Sequence, residues 1–198
     1  GLRVSSLIRA SVEAAMSQPA TNHGLTGYSV QTVSDGSVVS GISWRPNGMI
    51  PYFYLEVPAN RRFLRVVATG AYPQGFRVAI REAAPPLEYD WGIRSNIVDY
   101  GAGRQHEVHY TNGWTLPNHW FIAVYPERVS GGPFSNVTLR VALDEVPEIP
   151  SPGGSVYFFD LRRDSSLYFH VAPPMGATNL SVSTSGGYWL PRAGGWRV

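Results

Sequence analysis

His106 and His109, with Glu107 between them, are the closest approach to a metal-binding pair in the chain. The flanking residues alternate as in a strand, and strand positions three apart point to opposite faces, so the two imidazoles do not aim at one ion. They read as surface histidines. The carboxylates Glu82, Glu88, Asp90, Asp99 and Glu107 could serve as acids and bases, but no spacing marks two of them as partners across a cleft. They read as solvated loop charges. Ser40 and Ser43 lie in strand-like surroundings, without the Gly-x-Ser-x-Gly turn that exposes a nucleophile and with no His or Asp close by. Gly101-Ala102-Gly103 lacks the Lys-Ser/Thr or strand-Gly-helix context of a phosphate loop. With no cysteine, thiolate nucleophiles, thiolate metal sites and disulfides are all excluded. The sequence therefore assigns no catalytic residue, no metal ligand and no cofactor, and the chain reads as a non-enzyme.

Aromatic side chains are the remaining lead. Tyr89, Trp91, Tyr100 and Trp114 fall in a long irregular stretch, where loops at the end of a β-sandwich present stacking surfaces to glycans or peptides. The competing reading is that loop tryptophans cap an open end of the core. The 16 basic residues are all arginine and are scattered rather than clustered, and the net charge is only +2. That distribution argues against nucleic acid, which calls for a basic face, and fits codon usage in a GC-rich genome. Asn136-Val137-Thr138 and Asn179-Leu180-Ser181 are glycosylation tripeptides placed in strand-like segments, and no weight rests on them.

The elements that must position these residues are mostly strands. A chain with 43% hydrophobic and 13% aromatic residues, 21 Gly and 16 Pro favours short strands joined by frequent turns. Residues 2 to 16 are the exception, with Val4, Leu7, Ile8, Val12 and Ala15 at helical spacing. From about Gly27 the period becomes 2: Phe53, Leu55 and Val57, then Phe76, Val78 and Ile80, then Val137, Leu139 and Val141 each form one apolar face. Their burial predicts exposure for Arg77, Arg81 and Arg140 on the opposite faces. His119 to Tyr125 is apolar on both faces and predicts a central strand covered on each side. Turn signals at Asp35-Gly36, Asn47-Gly48, Pro85-Pro86 and Asn112-Gly113 complete the pattern of an antiparallel β-sandwich or jelly roll preceded by a short helix. No apolar run is long enough to cross a bilayer and no signal peptide opens the chain, so export implies a leader already removed.

Residues 144–154, with prolines at 147, 150 and 152, read as a semi-rigid linker, and beyond it the pattern restarts. Tyr52 to Pro58 is echoed by Leu167 to Pro173, Phe63 to Gly70 by Asn179 to Gly186, and Gly75-Phe76-Arg77-Val78 by Gly195-Trp196-Arg197-Val198. The implied organisation is a helix and connector over 1–26, a complete sandwich over 27–143, the linker, and an incomplete second copy over 155–198. The strand, Pro-x-Gly turn, strand and Ser-Gly-Gly turn from Phe169 to Gly187 resemble the bacterial pre-peptidase C-terminal domain, found at the ends of secreted peptidases. The resemblance implies an extracellular or cell-surface module, non-catalytic, that works by surface contact as an accessory, adhesive or structural unit. Two alternatives stand beside it: the C-terminal part of a secreted peptidase, and a subunit of an extracellular filament assembled by β-strand complementation. Expected partners are protein, through self-association or a parent protein, or else a glycan or peptide. Some members of that family bind calcium through acidic residues, but the turns at Ala71 to Gly75 and Tyr188 to Gly195 carry no carboxylate, so no such site is expected there.

Overall fold

Period-2 apolar patterning gives a strand one face to bury, and two such sheets solve the problem by packing face to face. The computed structural model describes residues 29–70, 75–86, 92–112, 114–127, 132–149, 153–160 and 166–183. Among these it is all-β. The strands are β1 (Ser29–Val33), β2 (Val38–Trp44), β3 (Pro51–Val57), β4 (Phe63–Thr69), β5 (Phe76–Glu82), β6 (Ile93–Arg94) and β7 (Asn96–Asp99). They continue with β8 (Arg104–Thr111), β9 (Asn118–Pro126), β10 (Phe134–Leu143), β11 (Glu148–Ile149), β12 (Tyr157–Asp160) and β13 (His170–Val171). The helix expected over residues 2 to 16, and the third echo at 195–198, lie outside the described residues.

One sheet has five strands in the order β1-β3-β9-β5-β6, and the other has six in the order β12-β7-β8-β4-β10-β2. Pairing is antiparallel within both except that β1 runs parallel to β3. The core lies between them. Phe53, Leu55, Phe76, Val78, Ile80, Trp120, Ile122 and Val124 of the first sheet meet Leu64, Val66, Val108, Leu139 and Val141 of the second in one buried cluster. The alternation read from the sequence thus sets the register, since a one-residue slip would turn each set outward. Gly92, at φ 68°, lets the chain lie against the carbonyl of Ile80, where a Cβ would collide with it.

The outer face of the five-stranded sheet is also buried. Tyr52, Ala79, Ala123 and Tyr125 form a second cluster there, and the Tyr52 hydroxyl donates to the Pro86 carbonyl at 2.8 Å. The central position of β9, with Trp120 to Tyr125 all buried, agrees with the two-sided apolar run. The same cover corrects the expectation for Arg77, which is only 3% exposed: it sits opposite Tyr125 on an interior strand, and its guanidinium reaches Glu127 at 2.5 Å. Arg81 and Arg140 are half-buried rather than exposed.

The region read as linker and second copy is joined to the sandwich. The Asp144 carboxylate accepts the main-chain N–H groups of Arg62 and Phe63 at 2.8 and 3.0 Å, which clamps the end of β10 to the start of β4. Farther on, β12 pairs with β7 and extends the six-stranded sheet, while β11 pairs in parallel with β13. Within the described part of 155–198, β12 thus belongs to the six-stranded sheet of the sandwich. Trp120 is enclosed at the centre of the core, so Trp120→Ala should lower the unfolding free energy by about 3 to 5 kcal/mol, measured by urea titration. A loss below about 1 kcal/mol would contradict this strand register.

Candidate functional site

Residues 65, 67, 107 and 109 share the outer face of the six-stranded sheet, because Arg65 stands opposite His109 and Val67 opposite Glu107 in the β4–β8 ladder. The Glu107 side chain is completely buried there. A carboxylate withdrawn from water needs every lone pair satisfied, and four donors converge on this one. Arg65 Nε and His109 Nε2, the latter at 2.7 Å, reach Oε1, while the Tyr100 hydroxyl at 2.8 Å and Gln105 Nε2 at 3.2 Å reach Oε2. Arg65 continues through its NH1 to Glu145 at 2.8 Å, and Glu145 is held in turn by Arg140. Two guanidinium and two carboxylate charges balance.

The tautomer of His109 is set by its neighbours. Its Nδ1 accepts the main-chain N–H of Tyr168 at 2.9 Å and so carries no proton, leaving Nε2–H to donate to Glu107. Through this ring the buried carboxylate positions the segment that covers it. Ser166 bridges to His109, and the rings of Tyr168 and Phe169 pack against Phe63, His109 and Tyr100 at centroid distances of 6.0 to 6.5 Å. Burial pushes the Glu107 carboxyl up, but the hydrogen bond from His109 and the charge of Arg65 outweigh it and hold the group at about 2. Burial, reinforced by the adjacent Glu107 charge, pushes the Tyr100 phenol up. A carboxylate so fully engaged is a structural anchor, not a group poised for proton transfer near neutrality.

Beside the covering segment lies an open groove. Phe63, Val146, Tyr168 and Phe169 wall it, and Arg62, Asn112 and His170 add polar groups. Asp144 also faces it, but both oxygens are occupied, one by the two N–H groups of Arg62 and Phe63 and the other by Arg61 at 3.2 Å.

Of the four aromatic residues singled out from sequence, the structure describes Tyr100 and Trp114. Trp114 is 5% exposed and packs on Tyr110 and Trp120 in the core, the capping role rather than the stacking one. Tyr100 is half-buried and spends its hydroxyl on Glu107. Tyr89 and Trp91 lie outside the described residues. His106 and His109 do face opposite ways, the first toward Phe76 in the core and the second toward Glu107. Both are buried, which corrects the surface reading, as does Glu107 for the solvated-carboxylate reading. The missed residues are Arg65, Glu107 and His109 as a cluster, and Tyr168 with its neighbours as its cover. The Glu107-x-His109 spacing placed two of them on one face; the partner Arg65 comes only from strand pairing.

No protein-family model matches the chain, and no curated protein matches its sequence. Among solved structures, it is similar to the pre-peptidase C-terminal domain of the collagenase from Bacillus anthracis, with 9% identity and a TM-score of 0.42. That match covers 63% of this chain and the whole of the other. It is also similar to PliG of Aeromonas hydrophila, a periplasmic inhibitor of g-type lysozyme, with 16% identity and a TM-score of 0.37 over 60% of this chain and all of the other.

Because the Glu107 carboxyl falls from 4.5 to about 2 on folding, its contribution to stability is complete above about pH 4.5 and is lost as pH drops toward 2. Glu107→Gln should cost about 3 to 5 kcal/mol at neutral pH by leaving Arg65 buried beside a neutral partner. It should also flatten this acid limb in urea titrations taken across that range; an unchanged limb would show that another carboxylate carries it.

Proposed function

We propose that the chain is a non-catalytic β-sandwich module of pre-peptidase C-terminal type, exported from the cell, that acts by surface contact with a protein partner. The observation that carries this reading is the open groove walled by Phe63, Tyr168 and Phe169, whose one lining carboxylate, Asp144, is fully hydrogen-bonded within the chain. Binding sites of this kind are concave, mostly apolar and fitted with a few polar groups. The family type rests on the strand and turn pattern of Phe169 to Gly187, and export rests on that family type. To test the reading, the purified chain is incubated with casein, gelatin, simple esters and polysaccharides, with and without divalent metals, and is separately applied to peptide and glycan arrays. No turnover and selective retention on peptides are expected. Turnover that disappears on one Ser, His or Glu substitution, or retention on no peptide, would overturn it.

One observation favours self-association as a second reading. The strand β12 ends the six-stranded sheet and has no second neighbour among the described residues, and its Tyr157, Phe158 and Phe159 are all exposed, Tyr157 by 61%. Such an edge is a template for another strand. Sedimentation at several concentrations should then show assembly that Phe158→Pro abolishes; a monomer throughout would rule it out.

A further inference from the structure

The groove beside Tyr168 has a chemical polarity that narrows what it can hold. Its walls are apolar rings and a valine: Phe63 from the start of β4, Val146 just after β10, and Tyr168 and Phe169 from the segment latched by His109. Among its polar groups Arg62 can only donate, whereas Thr111, Asn112 and His170 can donate or accept. The Arg62 guanidinium is exposed and has no acidic partner among the described residues, unlike Arg61, which is shared between Asp35 and Asp144. The Asn112 amide and His170 imidazole are likewise without side-chain partners among the described residues. The one carboxylate in the lining, Asp144, has both oxygens turned to donors of this chain. Its charge is therefore already answered. Burial opposes its ionisation, yet the N–H of Arg62 and the Arg61 guanidinium outweigh burial and hold the carboxyl below the usual range.

An apolar trough lined by a guanidinium that no described carboxylate answers complements an apolar group that has a carboxylate next to it. We propose that this groove binds an extended peptide segment in which a Glu or Asp neighbours a Leu-like side chain, the carboxylate on Arg62 and the apolar side chain against Tyr168 and Val146. This assignment rests on the proposed role in protein contact and specifies its surface and partner chemistry. The walls are suited to the task because they are fixed: Phe63 belongs to a central ladder, and Tyr168 is held by a main-chain hydrogen bond to a buried histidine. A preformed trough spares the ordering cost that a loop surface would incur.

The test uses the full chain and fluorescence anisotropy with a labelled peptide alternating Leu and Glu, its Leu-Gln counterpart, and soluble polyuronate as the competing anion. The acidic peptide should bind, weaken with rising salt, and lose about tenfold in affinity in Arg62→Ala, with partial recovery in Arg62→Lys. Val146→Gln should weaken it as well. The Arg62 main-chain N–H that Asp144 accepts survives in every Arg62 variant, and an unchanged melting temperature confirms folding. Arg62→Glu should reverse the preference toward a Leu-Arg peptide. Equal binding of the Leu-Gln peptide, no response to Arg62→Ala, tighter binding of polyuronate, or a dimer of the chain itself abolished by Arg62→Ala would each overturn the proposal. Peptide retention on the array that ignores Arg62 and Val146 would remove this groove and leave the role in protein contact standing.

Discussion

The buried carboxylate of Glu107 is the constraint to which the outer face of the larger sheet conforms. Withdrawing an ionised carboxylate from water costs several kcal/mol unless charge and hydrogen bonds replace the lost solvent. The donors come from separate places in the chain: β4 through Arg65, β8 through Gln105 and His109, and the turn before β8 through Tyr100. Arg65 then brings in Glu145, and His109 brings in the main chain at Tyr168. Segments far apart in sequence are thus tied to one charge. An apolar residue at 107 would leave Arg65 without its buried partner and His109 free to adopt the other tautomer, which could not accept from Tyr168.

This polar layer lies on the far side of the same strands that build the core, and the two depend on one register. Val66 and Val108 pack inward while their neighbours in sequence, Arg65 and Glu107, meet on the outside. Strand alternation makes the two sets inseparable. The smaller sheet solves its outer face differently, with Tyr52, Ala79, Ala123 and Tyr125 in place of charges, and Arg77 drawn in beside them. Each sheet is therefore covered on both sides near its centre, at Tyr52, Ala79 and Tyr125 in one and at Arg65, Glu107 and His109 in the other, more than an ordinary sandwich requires.

Charges at the end of β10 organise the chain beyond it. Asp144, at φ 57°, turns the chain and accepts two main-chain N–H groups, and Glu145 joins Arg65 to Arg140. With that exit fixed, β11 meets β13, and the aromatic residues just before β13 fall over Glu107 and beside Arg62. The groove is a by-product of this closure: one wall is sheet, the other is the returning chain.

By itself the sequence determined the all-β class, the inward residues of β3, β5, β9 and β10, the centrality of β9, and the opposite facing of His106 and His109. These come from periodicity and from the two-sided apolar run at Trp120 to Tyr125, which are local properties that any strand must obey. It did not determine that Glu107, His109 and Arg77 are buried or that Trp114 belongs to the core. Nor did it signal that β12 would join β7. Alternation says which side chains share a face, but not whether a distant segment covers that face. Here Tyr168 and Phe169 cover it from about sixty residues away, and the pairing of Arg65 with Glu107 spans forty-two positions. Such contacts are fixed by strand order and register, which only the tertiary structure decides, because the chain must first close long loops before these groups can meet.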